Sequence, residues 1–167
     1  MKKLFVKGLV VCMTTIMLGI TVVGCGNTDG AVSENAGTET VVANTVGTKY
    51  VAAFNATSAD DVNAIADELM SGVETELGLV KMDVEPGYLN GFSAEINGFD
   101  QGVMFSPMIG SIPFVGYVFK TSDAAALETA LKDNADMRWN VCTEADELVT
   151  AVKGDYVFFM MCTNDEQ

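Results

Sequence analysis

Cysteine is the residue type whose chemistry this sequence specifies most closely. The chain has four cysteines and no histidine. Cys25 follows Val22, Val23 and Gly24 at the end of an uncharged run over residues 8–23. A thiol becomes a nucleophile when it loses its proton. A cysteine directly after a glycine at the end of an apolar run is therefore the first candidate for covalent modification.

The residues before Cys25 have the order of a secretory signal. Three lysines within residues 1–7 precede an uncharged run of 16 residues, which is shorter than the ~20 residues of a membrane-spanning helix. The end of the run resembles the bacterial lipobox, in which a peptidase cuts after a small residue and the following cysteine is diacylated. The resemblance implies that residues 1–24 are removed and that Cys25 carries the lipid anchor, since two acyl chains give stable attachment. The alternatives are an ordinary signal peptide that happens to contain Cys25, and an uncleaved anchor.

The charge balance excludes one class of partner. The whole chain has a net charge of −14, and without residues 1–24 six Lys and Arg would face 23 Asp and Glu, a net charge of −17. Nucleic acids require clusters of Lys and Arg, so we expect no nucleic-acid partner. Charged partners would be cationic, such as metal ions, basic peptides or polyamines. Alternatively, the acidic residues only keep an exported domain soluble.

Catalytic and cofactor motifs are missing from the sequence. Without histidine there is no Ser-His-Asp or Cys-His site, and we expect no enzyme. Neither GxGxxG nor GxxxxGK[ST] occurs, so we expect no nucleotide cofactor. Residues 133–144 begin and end like an EF-hand loop, but Ala135, Met137 and Arg138 occupy its third, fifth and sixth positions. We therefore expect no cofactor and no metal site.

Two cysteines remain for the exported domain, Cys142 and Cys162. Two interpretations stay open: the two residues form a disulfide, which an extracytoplasmic location permits, or Cys162 is a small buried hydrophobic residue, because it ends an apolar run. Cys142 and Cys162 lie 20 residues apart without further cysteine pairs, so their spacing does not match a zinc site.

Arg138 and the single tryptophan, Trp139, are candidates for a binding surface, because Arg and Trp are enriched at binding hot spots. The alternative is that Trp139 covers the edge of the core and Arg138 pairs with a nearby acid. Five acids crowd the same region and would either hold a loose cation or belong to solvated loops: Asp133, Asp136, Glu144, Asp146 and Glu147.

Composition divides the chain into four parts. Residues 1–24 are the signal peptide, and residues 25–48 are expected to be a flexible tether, because they are rich in small and polar residues and lack aromatic ones. Residues 49–163 would form one domain, and residues 164–167 a frayed tail.

Periodicity predicts the elements of that domain. A short apolar patch around Tyr50, Val51 and Phe54 is a first strand or a segment packed on the core. A helix is predicted over residues 59–77, with its acids on a solvated face, and a second after the cap at Asp123. Strands are expected over residues 92–97, 102–105 and 114–119, and residues 79–85 are a strand or a packing strip. A hairpin is expected around Gly154, and its last strand should lie inside the sheet.

This order favours an α+β fold, with a mostly antiparallel sheet and two helices packed on one face. Two segments, residues 115–120 and residues 152–157, carry a further resemblance. They are similar to those of a family of small uncharacterised lipoproteins from Gram-positive, clostridial-type bacteria, which have one domain of unknown function. The resemblance implies no catalytic or binding residues.

Together these features predict a lipoprotein held by its N-terminal lipid on the extracytoplasmic face of the cell membrane. Its domain would be a non-enzymatic binding or scaffolding module with a protein or small-solute partner. The alternative is a solute- or cation-binding lipoprotein that uses its acidic surface.

Overall fold

A computed structural model describes residues 44–164, which form three helices and seven strands. The helices are α1 (Val46–Ala56), α2 (Val62–Gly72) and α3 (Ala124–Asn134). The strands are β1 (Leu79–Val84), β2 (Gly87–Tyr88), β3 (Glu95–Ile96), β4 (Gln101–Pro107), β5 (Val115–Lys120), β6 (Glu147–Lys153) and β7 (Tyr156–Cys162). The signal peptide, Cys25 and the tether up to residue 43 lie outside the described residues.

Five of the strands form one antiparallel sheet with the order β1-β4-β5-β7-β6. The short strands β2 and β3 pair separately. Strand β5 lies at the centre and β7 has a neighbour on each side, as their nearly continuous apolar sequences predict. The hairpin between β6 and β7 turns at Gly154, whose φ of 59° favours glycine. The predicted α+β fold with a mostly antiparallel sheet is confirmed.

Helices cover both faces of the sheet, which explains why the inner strands are apolar on both sides. Alternate residues of β7 point to opposite faces, so Phe158 and Met160 pack against α1 and α2, whereas Phe159 and Met161 pack towards α3. We call these two sides the α1–α2 face and the α3 face. Each face has its own buried cluster of side chains.

The sequence analysis placed its two predicted helices on the same face of the sheet, and this part of the prediction is wrong. The two predicted helices correspond to α2 and α3, which pack on opposite faces. The partner of α2 is α1, which occupies the segment predicted as a strand or a packing patch. Helix α1 begins at Val46, so the first helix of the described residues starts before the predicted boundary at residue 48. Its Thr45 cap and Thr48 form a reciprocal capping box.

Helix α2 is shorter than predicted at both ends. It begins after Asp61, whose side chain accepts hydrogen bonds from the N–H groups of Asn63 and Ala64. It ends at Gly72, a residue of low helix propensity, and not at residue 77. Val73 and Leu77 continue the apolar spacing, but they pack on the core from an irregular segment.

Two further expectations concern the strands. The sequence left residues 79–85 open between a strand and a packing strip, and Leu79–Val84 form the edge strand β1. The alternating stretch at 92–97 contributes only β3 and one isolated bridge between Phe92 and Ala135. No helix within residues 44–164 has the length and apolar character needed to cross a membrane.

Candidate functional site: a cavity beside helix α1

A cavity of about 320 Å³ lies against the first half of α1. This is within the lower range of small-molecule sites, which are typically concave and mostly apolar. Three separate parts of the chain supply its apolar wall, which consists of Val46 and Tyr50 from α1, Val73 and Leu77 from the segment after α2, and Ile112 and Phe114 from the connection between β4 and β5. We call this space the α1 cavity.

Polar side chains complete the lining of the α1 cavity. They are Lys49, Glu74, Thr75, Glu76 and Thr163. Glu74 and Glu76 are exposed to solvent and make no hydrogen bond or ion pair with the described residues. Among the described residues of this lining, two carboxylates accompany one ammonium group. The polar part of the cavity therefore has an excess of negative charge.

Tyr50 is the most unusual residue in the wall. Its side chain is completely buried, and its hydroxyl is the one buried side-chain polar atom among residues 44–164 that has no hydrogen-bond partner. Burial, with a smaller contribution from the nearby Cys162, raises the pKa of this hydroxyl to about 12. Tyr50 therefore remains a neutral phenol, able both to donate and to accept a hydrogen bond. A buried polar group without a partner costs about 1–3 kcal/mol, so its presence requires an explanation.

Aromatic packing fixes the ring of Tyr50. The ring stacks on Phe105 with centroids 5.9 Å apart and meets Phe114 edge to face at 5.7 Å. Phe105 in turn lies over Gly116 of the neighbouring strand, where a Cβ atom would come within 2.2 Å of the ring. The absence of a side chain at Gly116 thus allows the packing that positions Tyr50.

A carboxylate at the start of β6 holds the start of α1. Glu147 accepts hydrogen bonds from the hydroxyl of Thr45 at 2.7 Å and from the N–H of Gly47 at 3.0 Å. A negative charge at a helix N-terminus is favourable. Gly47 permits the approach, because a Cβ there would lie 2.6 Å from the carboxylate oxygen. Glu147, which the sequence analysis placed in a cation-binding or solvated cluster, therefore positions the helix that carries Val46 and Tyr50.

The structure places the predicted surface pair on the α3 face, away from the α1 cavity. Trp139 is half-buried and packs against the cluster on that face. Arg138 is exposed and lies 3.4 Å from Glu144, a surface ion pair of little energetic weight. This arrangement is the alternative that the sequence left open, in which Trp139 covers the core and Arg138 pairs with an acid.

Cys142 and Cys162 are both free thiols in this structure. Cys142 is exposed and Cys162 is buried in the α1–α2 cluster. Burial, together with the Glu147 carboxylate 3.9 Å from the sulfur, raises the pKa of the Cys162 thiol to about 12. Cys162 therefore remains a protonated, unreactive thiol and behaves as the small buried residue that the second interpretation describes.

The predicted acidic cluster is dispersed. Within the described part of the chain, no three acidic or cysteine side chains converge into a group that could hold a metal ion. Glu144 pairs with Arg138, and Glu147 binds the start of α1. Asp146 accepts a hydrogen bond from the N–H of Asn164.

Comparisons with family models, curated proteins and solved structures found no match to this chain. The resemblance to clostridial-type lipoproteins therefore remains a prediction, and the residues of the α1 cavity are assigned from geometry and chemistry alone.

Proposed function

We propose that this chain is a lipid-anchored binding protein on the extracytoplasmic face of a bacterial membrane. Anchoring is supported by the lipobox-like order of Val22, Val23, Gly24 and Cys25 after a positively charged start and an apolar run. Diacylation of Cys25 would hold the protein stably, since each buried methylene contributes ~0.8 kcal/mol and two chains act together. The lack of histidine in the sequence supports a non-enzymatic role.

The α1 cavity is the observation that carries the binding role. Its lining combines apolar side chains with two carboxylates, and Tyr50 in its wall carries a buried hydroxyl that has no partner in the described residues. Such a combination of apolar surface and a few polar groups is typical of a small-molecule site. It favours a small solute over a protein partner, which remains the alternative prediction from the sequence.

Metabolic labelling with palmitate tests the anchor. The wild-type chain is expected to incorporate label and to sediment with membranes, whereas Cys25→Ala should do neither. Cys12→Ala, which removes a cysteine inside the apolar run, is the matched control and should incorporate label normally. Labelling that survives in Cys25→Ala would contradict the proposal.

A further inference from the structure

We propose that the α1 cavity binds a small amphipathic amine, with an ammonium group at one end, an apolar body and a hydrogen-bonding group at the other end. This inference rests on the proposed binding function and specifies its ligand. Nothing in the sequence pattern pointed to this site, because two of the segments that form its wall have a different structure from the one predicted.

The charge of the lining selects the sign of the ligand. Glu74 and Glu76 face the cavity without ion-pair partners among the described residues, and Lys49 is the one basic residue beside them. An ammonium group would gain from both carboxylates, whereas a carboxylate ligand would be repelled. The net charge of −14 on the chain acts in the same direction, because it raises the local concentration of cations.

The apolar wall fits the body of such a ligand. Tyr50 and Phe114 line the cavity and hold each other edge to face. Both rings are almost completely buried, so they support the wall from behind, whereas the partly exposed Val46, Leu77 and Ile112 offer apolar surface to the body of the ligand. Leu77 adds aliphatic surface from the segment that also carries both carboxylates.

The hydroxyl of Tyr50 accounts for the hydrogen-bonding group. It is completely buried and has no partner among residues 44–164. Because the hydroxyl has no surface open to the cavity, a ligand hydroxyl or carbonyl reaches it only when neighbouring side chains of the wall shift, and it would then satisfy a group that otherwise lowers stability. The site thus differs from a simple acidic patch, which would attract any cation irrespective of its polar groups.

Three related compounds test the inference by calorimetry on the full chain purified in detergent. Tyramine has the amine, the ring and a distal hydroxyl, phenethylamine lacks the hydroxyl, and 4-hydroxyphenylacetate replaces the amine by a carboxylate. We expect tyramine to bind about fivefold more tightly than phenethylamine, since one neutral hydrogen bond is worth about 1 kcal/mol. 4-Hydroxyphenylacetate is expected not to bind.

Two variants assign the contacts. Tyr50→Phe should lower the affinity for tyramine to that for phenethylamine and leave phenethylamine unchanged, while the exposed Tyr88→Phe changes neither. The double change Glu74→Gln and Glu76→Gln should weaken both amines by about threefold to tenfold, with a smaller effect at high salt. The control with the same change of net charge is Glu85→Gln with Glu95→Gln, two exposed residues outside the cavity.

Several outcomes would overturn the inference. These are equal affinity of the wild type for tyramine and phenethylamine, an unchanged tyramine affinity in Tyr50→Phe, and no heat above dilution with either amine. Binding of 4-hydroxyphenylacetate in place of the amines would support a solute-binding domain but overturn the inference that its ligand is an amine. Palmitate incorporation at Cys25 is measured separately, so a labelled protein that binds no amine contradicts this inference and leaves the anchor intact.

Discussion

The two faces of the sheet each bury one tyrosine completely, but only one of these tyrosines has a hydrogen-bond partner for its hydroxyl within residues 44–164. On the α3 face, Tyr117 donates its hydroxyl proton to the carbonyl oxygen of Asn90 at 2.7 Å. On the α1–α2 face, the hydroxyl of Tyr50 has no partner in the described residues. Burial is the main cause of a raised pKa in both, so both are neutral phenols.

The difference shows what each face is organised to do. The loop that contains Asn90 crosses the α3 face and supplies a carbonyl group where Tyr117 needs one. The segments around Tyr50 leave a cavity of about 320 Å³ beside it. We therefore expect the α3 face to serve stability and the α1–α2 face to retain a group for a ligand, a division that four measurements can test.

Gly116→Ala should have the largest effect. Its Cβ would lie 2.2 Å from the ring of Phe105, which must move and thereby disturb the stacking on Tyr50. We expect a loss of about 2–3 kcal/mol in the free energy of unfolding, measured with urea. Gly110→Ala, at a site with open space around it, is the control and should be nearly neutral. An equally small effect at both glycines would show that the packing behind Tyr50 is not tight.

Tyr117→Phe should have the next largest effect on the free energy of unfolding. The change removes the buried hydrogen bond to Asn90 without altering the ring, so about 1–2 kcal/mol of unfolding free energy should be lost. Urea titration at neutral pH is the measurement. A neutral result would mean that this hydroxyl does not distinguish the α3 face from the other.

Tyr50→Phe should change stability in the opposite direction. In the absence of ligand, removing a buried hydroxyl that has no partner in the described residues should raise the free energy of unfolding by up to about 1 kcal/mol. The same urea titration provides the test. A loss of stability as large as that of Tyr117→Phe would contradict the comparison of the two faces.

The smallest effect concerns pH on the α3 face. Glu128 accepts hydrogen bonds from Lys132 at 2.7 Å and Thr150 at 2.6 Å, and these bonds lower its pKa below the ordinary 4.5. A lowered pKa in the folded state stabilises the protein above the ordinary value, and the gain is lost as pH falls through the folded value. Glu128→Gln should therefore cost about 0.5 kcal/mol near pH 7 and less towards pH 3. Glu85→Gln, at an exposed residue, is the control and should leave the free energy of unfolding at pH 7 nearly unchanged.

Much of the sheet could be predicted from its strands. The apolar character of β5 and β7 on both faces indicates interior positions, because an edge or half-exposed strand would alternate. Gly154 correctly predicted the hairpin between β6 and β7, and Asp123 correctly predicted the start of α3. Both signals depend on local backbone chemistry. These features follow from neighbouring residues and need no knowledge of distant contacts.

The α1 cavity could not be predicted, because its wall comes from segments whose structure depends on tertiary contacts. Helix α1 forms where Tyr50 and Phe54, four residues apart, bury against the sheet, and this spacing was the one available signal. Val73 and Leu77 keep a helical spacing although α2 has already ended at Gly72. Glu74 therefore belongs to a cavity lining and not to the solvated side of a helix.

The bond between Glu147 and the start of α1 has a mechanical consequence. If the chain is tethered through Cys25, a pull from the membrane reaches the described residues at their N-terminal end, where the Glu147 carboxylate binds Thr45 and Gly47 and connects the start of α1 to strand β6. Val46, the next residue, belongs to the wall of the α1 cavity. Tension from the membrane and a ligand in the cavity would then act on the same helical turn, so that an occupied cavity should raise the force needed to detach α1.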